Sequence, residues 1–277
     1  PQVILLLTGT GGGGKSTVTG LVRRLVGDEN CSELRTAHLG SRFELANFHD
    51  RTLLIGSDVP PDFLSCEESQ QLKALTGGDR LSVEFKGKSG AKAVVGDWNV
   101  IVTANSRLKV NVQGDLGAWS RRLLLLDFSQ PKPEKVIPNY HDVMIEREGS
   151  GILNWFLEGA EDLCRVMQAG RPFPVTERQR WMIDNLLSES DSVRYFVVNH
   201  VRSSSMSSDC ITTEELYSAY MTMCNNKEWG PEPEKRFQKR AAELMLEIHQ
   251  AIPSNHIQRS DGQQQQSRGY MKVTLTA

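Results

Sequence analysis

The sequence predicts an α/β protein: a parallel sheet covered by helices on both faces, a small helical lid, and then a winged-helix-like C-terminal unit. Three observations predict it. Four near-continuous apolar runs, VILLL at 3–7, TLLIGS at 52–57, NVIVTA at 99–104 and LLLLDF at 123–128, have the pattern of strands buried on both faces. Helix-compatible stretches separate them at 16–27 and 66–76, the second opening at Ser65 with Glu67 and Glu68 in its first turn, where acids favour the helix dipole. The last eighty or so residues change to an order of three helices followed by a polar turn and an alternating strand.

The chain of 277 residues is 39% hydrophobic and 24% charged, which suits a soluble protein of one large or two moderate domains. Its net charge of −2 provides no global basic field, so nucleic-acid contact has to come from local patches. No apolar run approaches the length of a membrane span, and no signal peptide is visible, so no membrane partner is expected. Cys31, Cys66, Cys164, Cys210 and Cys224 are scattered, odd in number and without a C-x-x-C pair. They read as free thiols of a reducing compartment, the cytoplasm of a host cell or a nucleus, and no zinc site is expected. The abrupt start at Pro1, almost on the first strand, suggests a fragment with a domain upstream.

Between the first strand and the first helix stands TGTGGGGKST, from Thr8 to Thr17. Gly9 and Gly14 bracket four residues, so the phosphate-loop pattern G-x-x-x-x-G-K-[ST] is complete. Backbone N–H groups of Gly9, Thr10, Gly11, Gly12, Gly13, Gly14, Lys15, Ser16 and Thr17 can face phosphate with little side chain in the way, and the helix that follows adds its positive end. Lys15 is expected to reach β and γ oxygens of ATP, and Ser16 to hold Mg2+. Asp58 ends the strand TLLIGS, where a P-loop enzyme needs an acid for magnesium or water, and is read as the Walker B acid; a turn-capping carboxylate before Val59-Pro60-Pro61 is the alternative. No second acid adjoins it, so the general base stays unnamed. Asn105 ends NVIVTA, where an amide can orient water beside a γ-phosphate.

The proline-rich SQPKPEKVIP closes the first unit near 130–138. After it, Ile152, Trp155, Phe156, Ala160 and Leu163 have helical spacing, with a stop at Gly170, and a second helix is expected over 176–190. In the tail, Thr212 and Glu215 form a capping signal. The expected boundaries are an ATPase core at 1–130, a helical lid and linker at 131–192, and a winged-helix-like domain at 193–277.

The set TGTGGGGKST, RFELANFHDRTLLIGSDVPP, LKALTGGDRLSVEFKGK, WNVIVTAN and WSRRLLLLDF, extended by GILNWFLEGA, resembles the superfamily 3 helicase domain of primase-helicases from satellite phages, plasmids and large DNA viruses. The resemblance covers most of residues 1–165, and LTGGD with the basic hairpin after it is its most specific part. It implies an AAA+-like P-loop core in a ring, usually a hexamer, that draws single-stranded DNA through a pore and carries an arginine finger across each subunit interface. Two departures stand out: Asp58 where a glutamate is common, and an all-glycine loop interior where an asparagine is common.

The same resemblance assigns Lys86, Lys88 and Lys92, set around Gly87 and Gly90, to a hairpin gripping the DNA backbone. An ordinary solvated loop is the alternative. Of Arg121 and Arg122, which precede LLLLDF, Arg122 matches the finger position better. In the tail, Lys235, Arg236, Lys239 and Arg240 share helix faces, fit equally for phosphate contact, duplex DNA included, or for a solvated interaction surface. The resulting expectation is an ATP-driven replicative DNA helicase motor of a mobile element or virus. The rival is a P-loop regulatory switch whose winged helix binds protein or DNA.

Overall fold

The computed structural model describes residues 2–41, 43–65, 70–87, 90–110, 116–206, 208–257 and 267–276. By contacts the chain divides into two compact units, Pro1–Leu187 and Ser188–Ala277. The first unit opens with β1 (Ile4–Thr8), α1 (Lys15–Val26), β2 (Cys31–Glu33), β3 (Leu53–Gly56) and α2 (Gln70–Gly77). It continues with β4 (Arg80–Glu84), β5 (Ala91–Val95), β6 (Asn99–Ala104), α3 (Leu116–Arg122), β7 (Leu123–Asp127), α4 (Tyr140–Gln168) and α5 (Glu177–Ser190).

Five strands form one parallel sheet in the order β2-β3-β6-β1-β7. Alternation along β1 explains why its sequence is apolar throughout. Ile4 and Leu6 pack on one face with Leu54, Val102, Trp119 and, from α5, Leu186. Leu5 and Leu7 face the other way, toward Val18 and Val22 of α1. The four predicted strands form, and β2 joins them at the sheet edge. Because every strand runs the same way, the register Thr8↔Ala104 and Thr8↔Asp127 gathers the loops after β1, β6 and β7 at a single edge.

β4 and β5 pair as an antiparallel hairpin. Its turn holds Gly87 and Gly90 at positive φ. α2 occupies 70–77 of the helix expected over 66–76. Glu67, Glu68 and Cys66 lie outside the described residues. α4 starts eleven residues before the predicted GILNWF segment, at Tyr140, because its first turn docks on α1. Asp142 accepts from Arg24 Nε at 2.8 Å. His141 lies so close to Gly20 that a Cβ there would meet its ring at 2.7 Å. The helix ends where the glycine predicts: Gly170 N–H donates to Met167 O and Arg171 N–H to Val166 O, with Gly170 at φ +66. Among the described residues, the Trp155 and Phe156 part of its apolar stripe is exposed, with Trp155 at 69%.

The second unit holds α6 (Ser192–His200), β8 (Val201–Ser203), β9 (Cys210–Thr212), α7 (Thr213–Asn226) and α8 (Glu234–His249), then β10 (Ile252–Ile257), β11 (Ser267–Met271) and β12 (Val273–Leu275). An antiparallel sheet runs β10-β11-β9, and β12 pairs with β8. Phe196, Tyr220 and Phe237 centre its core. The predicted capping box is present: Glu215 N–H donates to Thr212 Oγ1 at 3.1 Å and Thr212 N–H to Glu215 Oε2 at 2.9 Å. Burial pushes the Tyr220 phenol well up, and its hydroxyl is bonded to Ser192 Oγ at 2.8 Å and to the Glu232 N–H at 2.8 Å. No helix among the described residues is long and apolar enough to cross a membrane.

Candidate phosphate-binding site

β1 stops at Thr8 and α1 starts at Lys15, so residues 9–14 make the step between them. Gly9, Gly12 and Gly14 have φ of +141°, +82° and +98°, which side chains other than glycine's rarely adopt. A Cβ on Gly9 would lie 2.4 Å from the carbonyl carbon and oxygen of Phe128, and one on Gly13 would lie 2.5 Å from that same oxygen. The loop therefore rests directly on the backbone that leaves β7.

α1 opens at Gly14 with no side-chain cap and no acid in its first turn. Its positive end is left to an external anion. Lys15 is buried, and its ammonium turns back to donate to Gly9 O at 2.9 Å and Thr10 O at 2.8 Å. An uncapped helix start, a loop stripped of side chains and an ammonium held inside it fit a polyphosphate. For magnesium, the nearby donors are a hydroxyl at Ser16 and a carboxylate at Asp58, both exposed. No cluster of three His, Cys, Asp or Glu among the described residues would hold a metal by itself. The donor set therefore suits a cation that keeps phosphate and water ligands.

Asp58 follows β3 by two residues and sits at φ +46°. Its N–H donates to Thr103 Oγ1 at 2.9 Å, and the next N–H, of Val59, donates to Thr103 O at 2.9 Å. Thr103 is buried within β6, so this hydroxyl fixes the turn that aims the acid. Asn105 Nδ2 then donates to Asp58 Oδ1 at 2.9 Å. The sequence expectation that an acid-ended and an Asn-ended strand serve one site thus meets a direct bond between the two residues, on strands adjacent in the sheet.

Arg122 lies elsewhere. Leu123 pairs with Ile4 and Asp127 with Thr8, so Arg122 sits at the opposite edge of the sheet from its own loop, about 16 Å of strand away. Its guanidinium donates to Ala118 O at 3.3 Å and to Gln2 Oε1 at 3.2 Å, while its Nε is buried without a partner. Arg121 is exposed and donates to Gly117 O at 3.2 Å. On the hairpin, Lys86 Nζ stands 5.8 Å over the Phe43 ring. Lys92 Nζ lies 2.6 Å from His49 Nε2, and that imidazole packs edge-on to Phe85 at 5.5 Å. Lys88 lies outside the described residues. On α8, Lys235, Arg236 and Lys239 are exposed, whereas Arg240 is engaged by Asp191 at 3.3 Å and Glu243 at 3.3 Å.

Beside the loop, within the first unit, lies a cavity of about 400 Å³ that the sequence did not announce. Thr10, Asn105 and Asp127 meet Trp181 and Asn185 of α5 around it. Asp127 accepts from Ser129 Oγ at 2.7 Å and from Arg178 Nη2 at 3.2 Å. The one available signal was an acid at the end of each of two apolar runs, Asp127 within LLLLDF and Asp58 directly after TLLIGS.

Residues 7–122 match the model of a family of unknown function, DUF5906. Among solved structures, the chain resembles the apo C-terminal region of NrS-1 in its A form, at 14% identity and a TM-score of 0.44, over 99% of this chain and 67% of that one. A second apo structure of the NrS-1 C-terminal region (305–718) gives 12% identity and a TM-score of 0.47 over 99% and 67%. The Aeropyrum pernix ORC1 protein in complex with DNA gives 16% identity and a TM-score of 0.26 over 99% and 83%. None of these likenesses is close enough to assign a function.

Proposed function

We propose that this chain is an ATP-hydrolysing DNA motor, a replicative helicase of a mobile element or virus acting as a homo-oligomeric ring, on the model of hexamers. The observation that carries the reading is the meeting, at one sheet edge, of an uncapped glycine loop, the buried Lys15 and the bonded pair Asp58–Asn105. In this mechanism the N–H groups of the loop and of the first turn of α1 hold the polyphosphate of ATP. Lys15 exchanges two loop carbonyls for β and γ oxygens; Ser16 and Asp58 are the residues that would hold Mg2+, which would supply positive charge beside the phosphates. Asn105, steadied by Asp58, orients the attacking water. The distance of Arg122 from its own loop supports a role on a neighbour's nucleotide. The helices α6, α7 and α8 followed by β10 and β11 support a winged-helix reading for residues 193–277, after a core at 1–130 and a lid at 131–192.

Two experiments test the motor. The first measures ATP turnover with and without single-stranded DNA in wild type and in Lys86→Ala/Lys92→Ala. Basal turnover is expected to persist in the variant while DNA stimulation is lost, and the slope of log affinity against log salt should flatten by about 0.7 per phosphate contact removed. DNA-insensitive turnover in the wild type would favour a nucleotide-set regulatory switch instead. The second mixes Arg122→Ala with Lys15→Ala. If the finger acts across subunits, head-to-tail mixed rings regain part of the lost turnover. No recovery in rings shown to be mixed, with recovery for Arg121→Ala in its place, would transfer the finger to Arg121.

A further inference from the structure

The chain that leaves β7 turns back over the loop it supports. Phe128 N–H donates to Thr8 O at 2.7 Å, and Thr10 Oγ1 donates to Gln130 O at 3.4 Å. Two residues on, the side chain of Lys132 lies across Gly12: a methyl built on that glycine would meet its Cγ, Cδ and Cε at 3.2, 3.1 and 3.4 Å. Pro131 and Pro133 flank it. Each proline fixes its own φ, and Pro133 also biases Lys132 toward extended backbone, so the segment is stiff and presents this side chain at a low ordering cost. Lys132 is exposed, and among the described residues no carboxylate holds it. The loop thus has one lysine inside it and a second whose stem runs over its crest.

We propose that Lys132 is a second phosphate-binding cation of this site, closing from the solvent side onto the polyphosphate that Lys15 meets from within. The proposal rests on reading residues 9–17 as a nucleotide-phosphate loop. A lysine suits the position because an ammonium is a compact point charge that needs no fixed planar partner. While no anion is bound its charge stays in water, which costs nothing. When one binds, the methylenes already lie on the loop, and only the end of the side chain has to be ordered.

The test is titration of the full chain with mant-ATP and Mg2+, followed by displacement with tripolyphosphate, which has no base or sugar. Lys132→Ala is expected to weaken both probes roughly ten-fold, the worth of one charge-assisted contact partly open to water. Lys132→Arg should recover most of the loss, and Lys135→Ala, three residues along the same exposed segment, should bind as wild type does. Unchanged or tighter binding by Lys132→Ala overturns the proposal. So does a loss for mant-ATP with tripolyphosphate unaffected, which moves the contact to base or sugar. A failure of the underlying reading looks different: wild type binds neither probe and Lys15→Ala changes nothing, and both inferences then fall.

Discussion

Lys15→Ala is expected to lower ATP turnover by at least about 100-fold while the chain stays folded. The buried ammonium donates to two loop carbonyls and stands directly under the crest of the loop. In the proposed mechanism it leaves those carbonyls for oxygens whose charge grows as the terminal phosphoryl group departs, so its removal acts on the transition state more than on the ground state. The fold should tolerate the change, because both carbonyls lie in a partly exposed loop where water can replace the ammonium, and each bond to a charged group contributes only about 1.5–3 kcal/mol. Steady-state phosphate release with a circular-dichroism melt in parallel checks both halves. Turnover within a few-fold of wild type in a well-folded variant would remove the loop from the chemistry.

Gly9→Ala is expected to destabilise the first unit by about 2–5 kcal/mol, combining a backbone conformation that only glycine adopts readily with a clash against main chain that cannot move aside. The added methyl would meet Phe128 C and O at 2.4 Å, where β7 hands the chain to the next segment. Gly11→Ala is the control, since a methyl there meets nothing within 4 Å and its φ is not in the left-handed region. It should shift stability by less than about 0.5 kcal/mol. Urea titration followed by tryptophan fluorescence reads both, with Trp98 and Trp119 buried in this unit. Equal tolerance at the two positions would mean that the loop does not rest on Phe128.

Some of this arrangement was legible in the sequence and some was not, for physical reasons that differ by residue. The four predicted strands, the inner β1, β3 and β6 and the edge strand β7, announce themselves because each is an apolar run of four or more residues with no polar alternation. β2, at the sheet edge, is the tripeptide CSE with only Cys31 buried, and so carries no such signature. The first eleven residues of α4 are largely polar, YHDVMIEREGS, and are helical because Asp142 and His141 find Arg24 and Gly20, contacts between residues far apart in sequence. In the site, the strand ends marked Asp58 and Asn105 separately as residues facing phosphate, but their bond depends on the turn held by Thr103. A threonine within NVIVTA reads as an ordinary strand former. Lys132 was hidden for a similar reason: a lysine between prolines looks like linker until the chain is seen to fold back over Gly12.

The sheet order has a kinetic consequence. β1 is made before its partners yet sits inside the sheet, between β6 and β7. The loop it carries takes its shape from contacts such as Thr10 with Gln130, 120 residues further along the chain. Contacts of that span form late and raise the folding barrier. During synthesis the glycine loop has no floor for about 6–24 s after it is made, at ordinary elongation rates. For most of that interval, until β6 is made, the apolar β1 lacks both strand neighbours and is open to pairing with other chains. A piece ending at residue 122, where the family match stops, would contain Lys15, Asp58 and Asn105 and still lack β7 and Phe128. Its motif would be intact, with nothing beneath it to give it shape.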